Sequence, residues 1–318
     1  MRAMVIDRYG PPEEFHLREV ERPKPGHGEL LVRVVAAAVN PVDAKIRASG
    51  YWAKLPLPVI LGSDAAGVVE MVGPGARDFR EGDEVFFTGE LTGEGRHGTY
   101  AEYTVVKEDI VGPKPPSLSF VEAAAVPLAG GTAWEAIVRR LRVQLGQTVL
   151  IHGGAGGVGS FAVQMAAASG ARVIATASAK NQATLRELGA NVAVDYAAED
   201  PAEVALRETG GRGVDAVFDL VGGEVTPKSL PAVRPYGRVA FILGPKGDLS
   251  EAYHRNLELH GVFIQRERRR LEEMSAAIEQ GRFEPLVDQV LPLERVADAH
   301  RRLDTGHGRG KVVLEIAR

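Results

Sequence analysis

The sequence contains no cysteine. That single absence removes disulfides, thiol nucleophiles, iron–sulfur clusters and thiolate zinc sites. It also contains no apolar run of the roughly 18 residues that would span a bilayer. The N-terminal stretch MRAMVIDRYG lacks the apolar core of a secretory signal. The expected location is therefore the cytoplasm, with no membrane partner. Positive charge is not in excess, since 38 Lys and Arg stand against 42 Asp and Glu, a net charge of −4. With a pI of 6.1, a nucleic-acid partner is not expected. Disorder is excluded by the same low charge and by an apolar share of 45%.

Glycine, by contrast, is plentiful, at 37 of 318 residues against a usual share of about 7%, and its placement needs explaining. The length suits two domains. The first third reads as β. Glu29–Ala38, Ala65–Val72 and Glu84–Thr88 are short β-branched runs, separated by Pro-Gly and Gly-Asp turns such as Pro23–Gly28 and Val72–Gly75, a texture that predicts a small antiparallel barrel or sandwich. Phe120–Val126 and Thr132–Leu141 carry apolar residues at helical spacing, with Ser119 and Thr132 as candidate N-caps. From Thr148 strand-like runs recur every 20–25 residues: Val149–His152, Val173–Thr176, Val192–Asp195, Asp215–Asp219, Arg238–Leu243 and Leu259–Ile264. Helical segments fill the gaps, so a parallel, doubly wound six-stranded sheet is predicted. The tail after Arg266 breaks this rhythm. Its final strand, Lys311–Ile316, is expected to return to the first domain. The basic run Arg266–Arg270, interleaved and followed by glutamates, reads as a solvated, salt-bridged helix face.

Part of the glycine excess sits where strand Thr148–His152 runs into Gly153-Gly154-Ala155-Gly156-Gly157-Val158-Gly159 and an apolar helix. Gly154, Gly156 and Gly159 fit the dinucleotide fingerprint in its proper strand–turn–helix context, with Gly157 and Val158 between. Such a turn lets the backbone approach a pyrophosphate, which the free N–H groups and positive dipole end of the helix then hold. An NAD site normally places an acid about 20 residues on, for the ribose 2′-hydroxyl. The stretch Arg172–Lys180 contains no acid and offers Thr176, Ser178 and Lys180, while Tyr196 closes the next strand. Hydroxyls and an ammonium suit a 2′-phosphate, so NADP(H) is the expected cofactor. Val221, Leu243, Val262 and Phe263 follow strand ends on the side where open α/β sheets bind ligands.

Seven stretches in order carry a family resemblance: Asn40-Pro41-Val42-Asp43, Gly62–Val69, Gly82–Val85, Gly98–Tyr103, Val149–Gly159, Arg255–Val262 and Gly310–Val313. Over essentially its whole length the chain resembles the zinc-free, zeta-crystallin-like quinone oxidoreductases of the medium-chain dehydrogenase/reductase superfamily. The resemblance implies an α/β fold in which a GroES-like β-barrel domain, residues 1–120 completed by 267–318, embraces a Rossmann domain, residues 121–266. It also implies a nicotinamide cleft and a homodimer.

Zinc-dependent relatives hold their metal through Cys, His and Glu, where this chain has Asn40-Pro41-Val42-Asp43 and Gly62-Ser63-Asp64. The eight histidines show no ligand spacing, so no zinc is expected. The resemblance brings Asn40 near the nicotinamide and matches Asp43 to an acidic position of the same motif, with Pro41 fixing an extended turn that aims Asn40. A turn without chemical role is the alternative for this stretch. Lys45 stands where many relatives have tyrosine. Tyr51 lies where related enoyl reductases carry a proton donor; the alternative is a loop aromatic over the cleft. Thr132 falls in a segment that lines the nicotinamide pocket in relatives. Without a metal to stabilise an alkoxide, hydride transfer favours conjugated acceptors, whose charge spreads into an enolate or hydroquinone oxygen. The implied activity is NADPH-dependent reduction of quinones or α,β-unsaturated carbonyls. A 2-enoyl thioester reductase and a non-catalytic NADPH-binding sensor are the alternatives.

Overall fold

The computed structural model describes residues 1–90 and 97–316; the side chain of Tyr51 lies outside that description. The chain divides into two compact units, Met1–Leu128 with Gln265–Gly281 and Pro285–Arg318, and Ala129–Ile264 with Arg282–Glu284.

The first unit is the GroES-like β domain. Its larger sheet has the strand order Val287–Pro292, Lys311–Glu315, Glu29–Val39, Asp64–Val72, Glu84–Thr88, Val111–Pro113, with Tyr103–Lys107 also paired to Glu29–Val39. A second sheet joins His16–Glu19, Arg2–Ile6 and Val59–Ile60. Alternating apolar positions of Glu29–Val39, among them Leu30, Val32 and Val34, enter one core with Phe87, Tyr100 and Leu314, as the two-residue period of a half-buried strand requires. The tail returns as expected, with Val312, Val313, Leu314 and Glu315 antiparallel to Val39, Ala38, Ala37 and Ala36.

The second unit is a parallel six-stranded Rossmann sheet, ordered Val192–Asp195, Arg172–Ala177, Thr148–His152, Val214–Asp219, Val233–Phe241, Glu258–Gly261. All six strands are joined in parallel. Strand Thr148–His152 is buried throughout, as its β-branched run demands in a sheet covered on both faces. The chain leaves it toward one edge and later returns on its other side, so the turn after His152 stands where the winding reverses.

Several sequence expectations shift. The boundary expected after residue 120 falls after Leu128, because the helix Phe120–Ala124, closed by a capping box between Ser119 and Glu122, packs on strands of the first unit. Within the returning tail, Arg282–Glu284 stays with the second unit. Phe283 lies 5.9 Å from Phe161 and 6.5 Å from Trp134, and Gln164 bonds both backbone groups of Glu284. Thr132 is no N-cap, for it lies inside the helix Pro127–Trp134, which continues as a π-helix over Glu135–Arg140. Pro41 likewise opens the helix Pro41–Ser49 at its first position, where a missing N–H costs nothing. The last strand of the sheet covers Glu258–Gly261, short of the expected Leu259–Ile264.

Nor is the basic run a solvated face. Arg270 is buried and bonded to the Gln265 carbonyl, Arg268 donates to the carbonyls of Val111 and Glu108 and to Asp78, and Arg266 donates to the Gly89 carbonyl. Arg269, paired to Glu273 at 2.9 Å, keeps the expected role. The guanidiniums of Arg266, Arg268 and Arg270 are thus engaged by backbone carbonyls.

Phe87 is 1% exposed in the core of the first unit. Phe87→Ala should therefore lower the unfolding free energy of the chain by about 3–5 kcal/mol in urea titration, and a loss below ~1 kcal/mol would contradict this placement of the core.

Candidate active site

The strand Thr148–His152 delivers the chain to Gly153, whose φ of +71° suits glycine. The helix Gly157–Ala168 then starts, with Gly156 at its N-cap in an extended conformation. Two of the fingerprint glycines are there for packing. A Cβ on Gly159 would stand 2.1 Å from the Gly153 carbonyl oxygen, and one on Gly154 would stand 2.9 Å from Leu185. At Gly156 the added carbon would meet Gly153 O at 3.4 Å and, among the described residues, nothing else within 4 Å. That side of the turn is open. The first intrahelical bond runs from Ser160 N–H to Gly156 C=O, 2.8 Å, so the N–H groups of Gly157, Val158 and Gly159 lack acceptors within the helix. An open glycine face beside three such donors fits a pyrophosphate.

Ser178 and Tyr196 follow the ends of adjacent strands, whose last residues Ala177 and Asp195 are register partners. Tyr196 is 50% exposed, Lys180 is exposed and Ser178 half-buried, all without a carboxylate between Arg172 and Lys180. Thr176 drops out of this group. It is buried, and its hydroxyl accepts the N–H of Gly153, which ties the glycine turn to the neighbouring strand. Asp195, an acid the sequence reading passed over, caps its own turn by accepting the Ala197 N–H at 3.1 Å.

The remaining strand ends divide. Val221, Leu243 and Phe263 are 54%, 37% and 73% exposed, whereas Val262 is buried at 7%. Val262 is therefore set apart from the three exposed side chains. Thr132 is half-buried on its helix. Behind the Val221 loop lies a group that sequence reasoning missed. Asp219 is fully buried, and its carboxylate accepts the N–H groups of Val221 and Gly222 at 2.8 and 3.0 Å and the hydroxyl of Thr226 at 2.5 Å. It shapes the loop that exposes Val221. The signal was local: an acid at a strand's end, followed two and three residues on by the turn N–H groups it accepts. His152 is buried against Ser229, 2.9 Å away, and burial pushes its pKa down to about 4. It is neutral and structural.

In the first unit, Asn40, Asp43, Ser63 and Asp64 come together at the end of Glu29–Val39, the start of Pro41–Ser49 and the start of Asp64–Val72. Asn40 and Asp43 are 2% and 0% exposed. The Asn40 side-chain NH2 donates to Asp64 at 3.0 Å, and its oxygen accepts from the Lys311 ammonium. Asp43 accepts the Asn40 backbone N–H at 3.1 Å, the Ser63 hydroxyl at 3.1 Å and the Tyr100 hydroxyl at 3.3 Å. With its proton given to Asp43, Tyr100 accepts from Nε2–H of His300 at 3.2 Å. Burial and the nearby Arg47 lower the His300 pKa to about 3, so the ring stays neutral. The polar atoms of Asn40 and Asp43 are thus engaged by protein partners, which suits them to hold a turn in shape. Tyr51, the third expected catalytic residue, falls in the 3-10 turn Gly50–Ala53 with its side chain outside the described residues.

The family model of the alcohol dehydrogenase GroES-like domain matches residues 26–116, and that of the zinc-binding dehydrogenases matches residues 188–314. The chain is 36% identical to an NADPH-dependent alkenal/one oxidoreductase of Arabidopsis thaliana chloroplasts, over 99% of this chain and 79% of that protein. It is 31% identical to a quinone oxidoreductase of Homo sapiens, over 99% and 97%. A crystal structure of an NAD-dependent alcohol dehydrogenase superposes with a TM-score of 0.93 at 38% identity, covering both chains fully.

A zinc ion, as the second family model's description implies, does not fit the residues present. Where the zinc relatives' ligands would stand, this chain has the amide of Asn40, whose oxygen is already taken by an ammonium, and the hydroxyl of Ser63. Of the two carboxylates, Asp64 lies 3.8 Å from the same ammonium, which would repel a dication, and Asp43 is taken up by the Asn40 N–H and the hydroxyls of Ser63 and Tyr100. Among the described residues no group of three His, Asp or Glu is placed to hold a metal.

The glycine turn yields a direct test. Gly159→Ala forces a methyl onto the Gly153 carbonyl, so dinucleotide affinity measured by fluorescence titration should fall at least tenfold. Unchanged affinity would remove this turn from the binding site.

Proposed function

The chain belongs to the medium-chain dehydrogenase/reductase superfamily and is an oxidoreductase, and from that premise we propose that it uses NADPH to reduce quinones and α,β-unsaturated carbonyls without a metal. The observation that carries this reading is the set of groups around Asn40: its amide lies between the Lys311 ammonium and Asp64, and the Ser63 hydroxyl is given to Asp43. Such a cluster supplies no Lewis acid for a plain carbonyl. A conjugated acceptor needs less, because its charge spreads over an enolate or hydroquinone oxygen and weak donors suffice.

When bound, the reduced nicotinamide supplies the hydride. The chain's own residues bind and orient. The N–H groups of Gly157, Val158 and Gly159 hold the pyrophosphate against the open face of Gly156, on a turn that Gly154 lets pack tightly. Ser178, Lys180 and Tyr196 gather a 2′-phosphate. The relatives divide on this point, one described as NADPH-dependent and one as NAD-dependent, and the character of these three residues supports NADPH. A carboxylate that would repel the phosphate is absent from Arg172–Lys180. The exposed side chains of Val221, Leu243 and Phe263 provide apolar surface that excludes water, with Asp219 fixing the Val221 loop. Thr132 is assigned to the nicotinamide end. Asn40 and Asp43 position the acceptor turn, and Tyr51 is the candidate proton donor to the reduced oxygen.

Three measurements test this. NADPH oxidation followed with 9,10-phenanthrenequinone, a simple enone and crotonyl-CoA in parallel should show turnover with the first two. The kcat/KM for NADPH should exceed that for NADH at least tenfold; no turnover, or preference for NADH, would overturn the reading. Lys180→Ala should raise the KM for NADPH about three- to tenfold and leave that for NADH unchanged, and equal effects on both would remove Lys180 from the phosphate site. Tyr51→Phe should lower kcat on the enone about 10²-fold, and full activity on both acceptors would exclude the donor role.

A further inference from the structure

The Gly310–Val313 stretch contains a residue that the dinucleotide chemistry leaves unexplained. Lys311 opens the returning strand Lys311–Glu315 and is 4% exposed. A buried ammonium is among the most costly groups to remove from water. Its hydrogen-bond donors point to the Val39 carbonyl at 3.1 Å and to the side-chain oxygen of Asn40, while the Asp64 carboxylate lies further off at 3.8 Å. Asn40 is thus interposed between a cation and an anion. With its oxygen toward Lys311 and its NH2 toward Asp64 both contacts are favourable. Rotated by half a turn, the amide would set its NH2 against the ammonium and its oxygen against the carboxylate, so one orientation is dictated. Asp64 in turn is fully buried and accepts the Leu128 N–H at 3.1 Å. Arg266 adds a second positive charge that senses both Asp64 and Asp43.

We propose that Lys311 is a positioning residue of the acceptor site: an internal ammonium, in the region where zinc relatives hold their metal, that locks the Asn40 amide and balances Asp64. This inference rests on the reading of Asn40 as part of the acceptor site. It separates two jobs of one cation. Balancing Asp64 supports the fold, and orienting Asn40 supports turnover.

The two jobs can be pulled apart. Lys311→Met strands the Asp64 charge and should lower both Tm and kcat on 9,10-phenanthrenequinone. Lys311→Met combined with Asp64→Asn removes the cation and its counter-charge together, so Tm should return to within a few degrees of the unsubstituted protein. In that double variant kcat should stay at least tenfold low, because Asn40 still lacks its partner, while NADPH affinity by fluorescence titration stays within twofold. Recovery of kcat along with Tm would overturn the proposal and leave Lys311 a purely structural cation.

A readout independent of turnover keeps this separate from the functional reading. The chain has four asparagines, Asn40, Asn181, Asn191 and Asn256, so selective ¹⁵N-asparagine labelling gives four side-chain NH2 pairs, with that of Asn40 assigned by its loss in Asn40→Asp. Solvent exchange of the Asn40 pair should rise at least tenfold in the double variant, and the other three should not move. If the unsubstituted protein reduces no acceptor, the functional reading fails. The lock on Asn40 is then judged by exchange alone, and an unchanged Asn40 pair overturns it.

Discussion

The pairing of the last strand against Glu29–Val39 is the contact on which the first unit depends. It brings residues more than 270 positions apart in sequence into register, Val312 against Val39, and so places Lys311 beside Asn40 and Asp64. Closing so long a loop has an entropic cost, but that cost grows only slowly with length, and the contact is repaid by a run of buried apolar residues, Val312, Val313 and Leu314. The polar cluster rides on that hydrophobic register. A slip of one residue would turn Lys311 to the opposite face of the sheet, leaving Asp64 buried without its neighbouring charge. Register and electrostatics therefore specify the same arrangement, as expected of a sequence whose local and global preferences agree.

The second unit uses a different economy. Its central constraint is steric and local: Gly159 must be bare for its helix to sit on Gly153, and Gly154 must be bare for the turn to approach Leu185 and Ala175. Thr176 then pins the turn to the next strand through its hydroxyl. These contacts leave Gly156 facing open space, where the helix N–H groups are unspent. Asp219 performs the equivalent service on the neighbouring strand by collecting two N–H groups and a hydroxyl. Both loops are thus set by buried polar atoms just behind them, so the exposed surface is left to backbone donors and ordinary apolar side chains.

How much of this was legible in the sequence follows from the range of the forces involved. The α/β rhythm, the glycine fingerprint and the strand that returns from the tail are signals of local composition and period, and the structure has all three. Ser119 was readable as a cap because its partner Glu122 is three residues away. Thr132 has the flanking pattern of a cap but lies inside a helix that Pro127 has already opened. Val262 and Phe263 look alike in sequence and differ in the fold, one buried and one 73% exposed, since alternation along an extended segment depends on where the sheet ends. The partners of Asp219 are close, since Val221, Gly222 and Thr226 follow it by two, three and seven residues. Lys311, Arg266 and Arg268 are different and could not be assigned from neighbours in sequence, because Asn40, Gly89, Val111 and Asp78 are brought to them by tertiary contact.

The absence of cysteine takes its meaning from that last group. Without thiolates, the buried carboxylate of Asp64 must find its counter-charge among the chain's own side chains. Replacing the carboxylate with an apolar residue would have been one remedy, since buried ion pairs are often no more stable than a well-packed apolar substitute. This chain retains the carboxylate and supplies an ammonium from the far end of the sequence, with an amide between the two. An arrangement that stability does not require is more simply explained by orientation, because an amide caught between opposite charges has one allowed pose where an apolar side chain would impose none. The cost is that this cation is closed off by its own partners and cannot polarise a substrate carbonyl as an open metal site does. A conjugated acceptor, which delocalises its own charge, is the class of substrate for which that loss matters least.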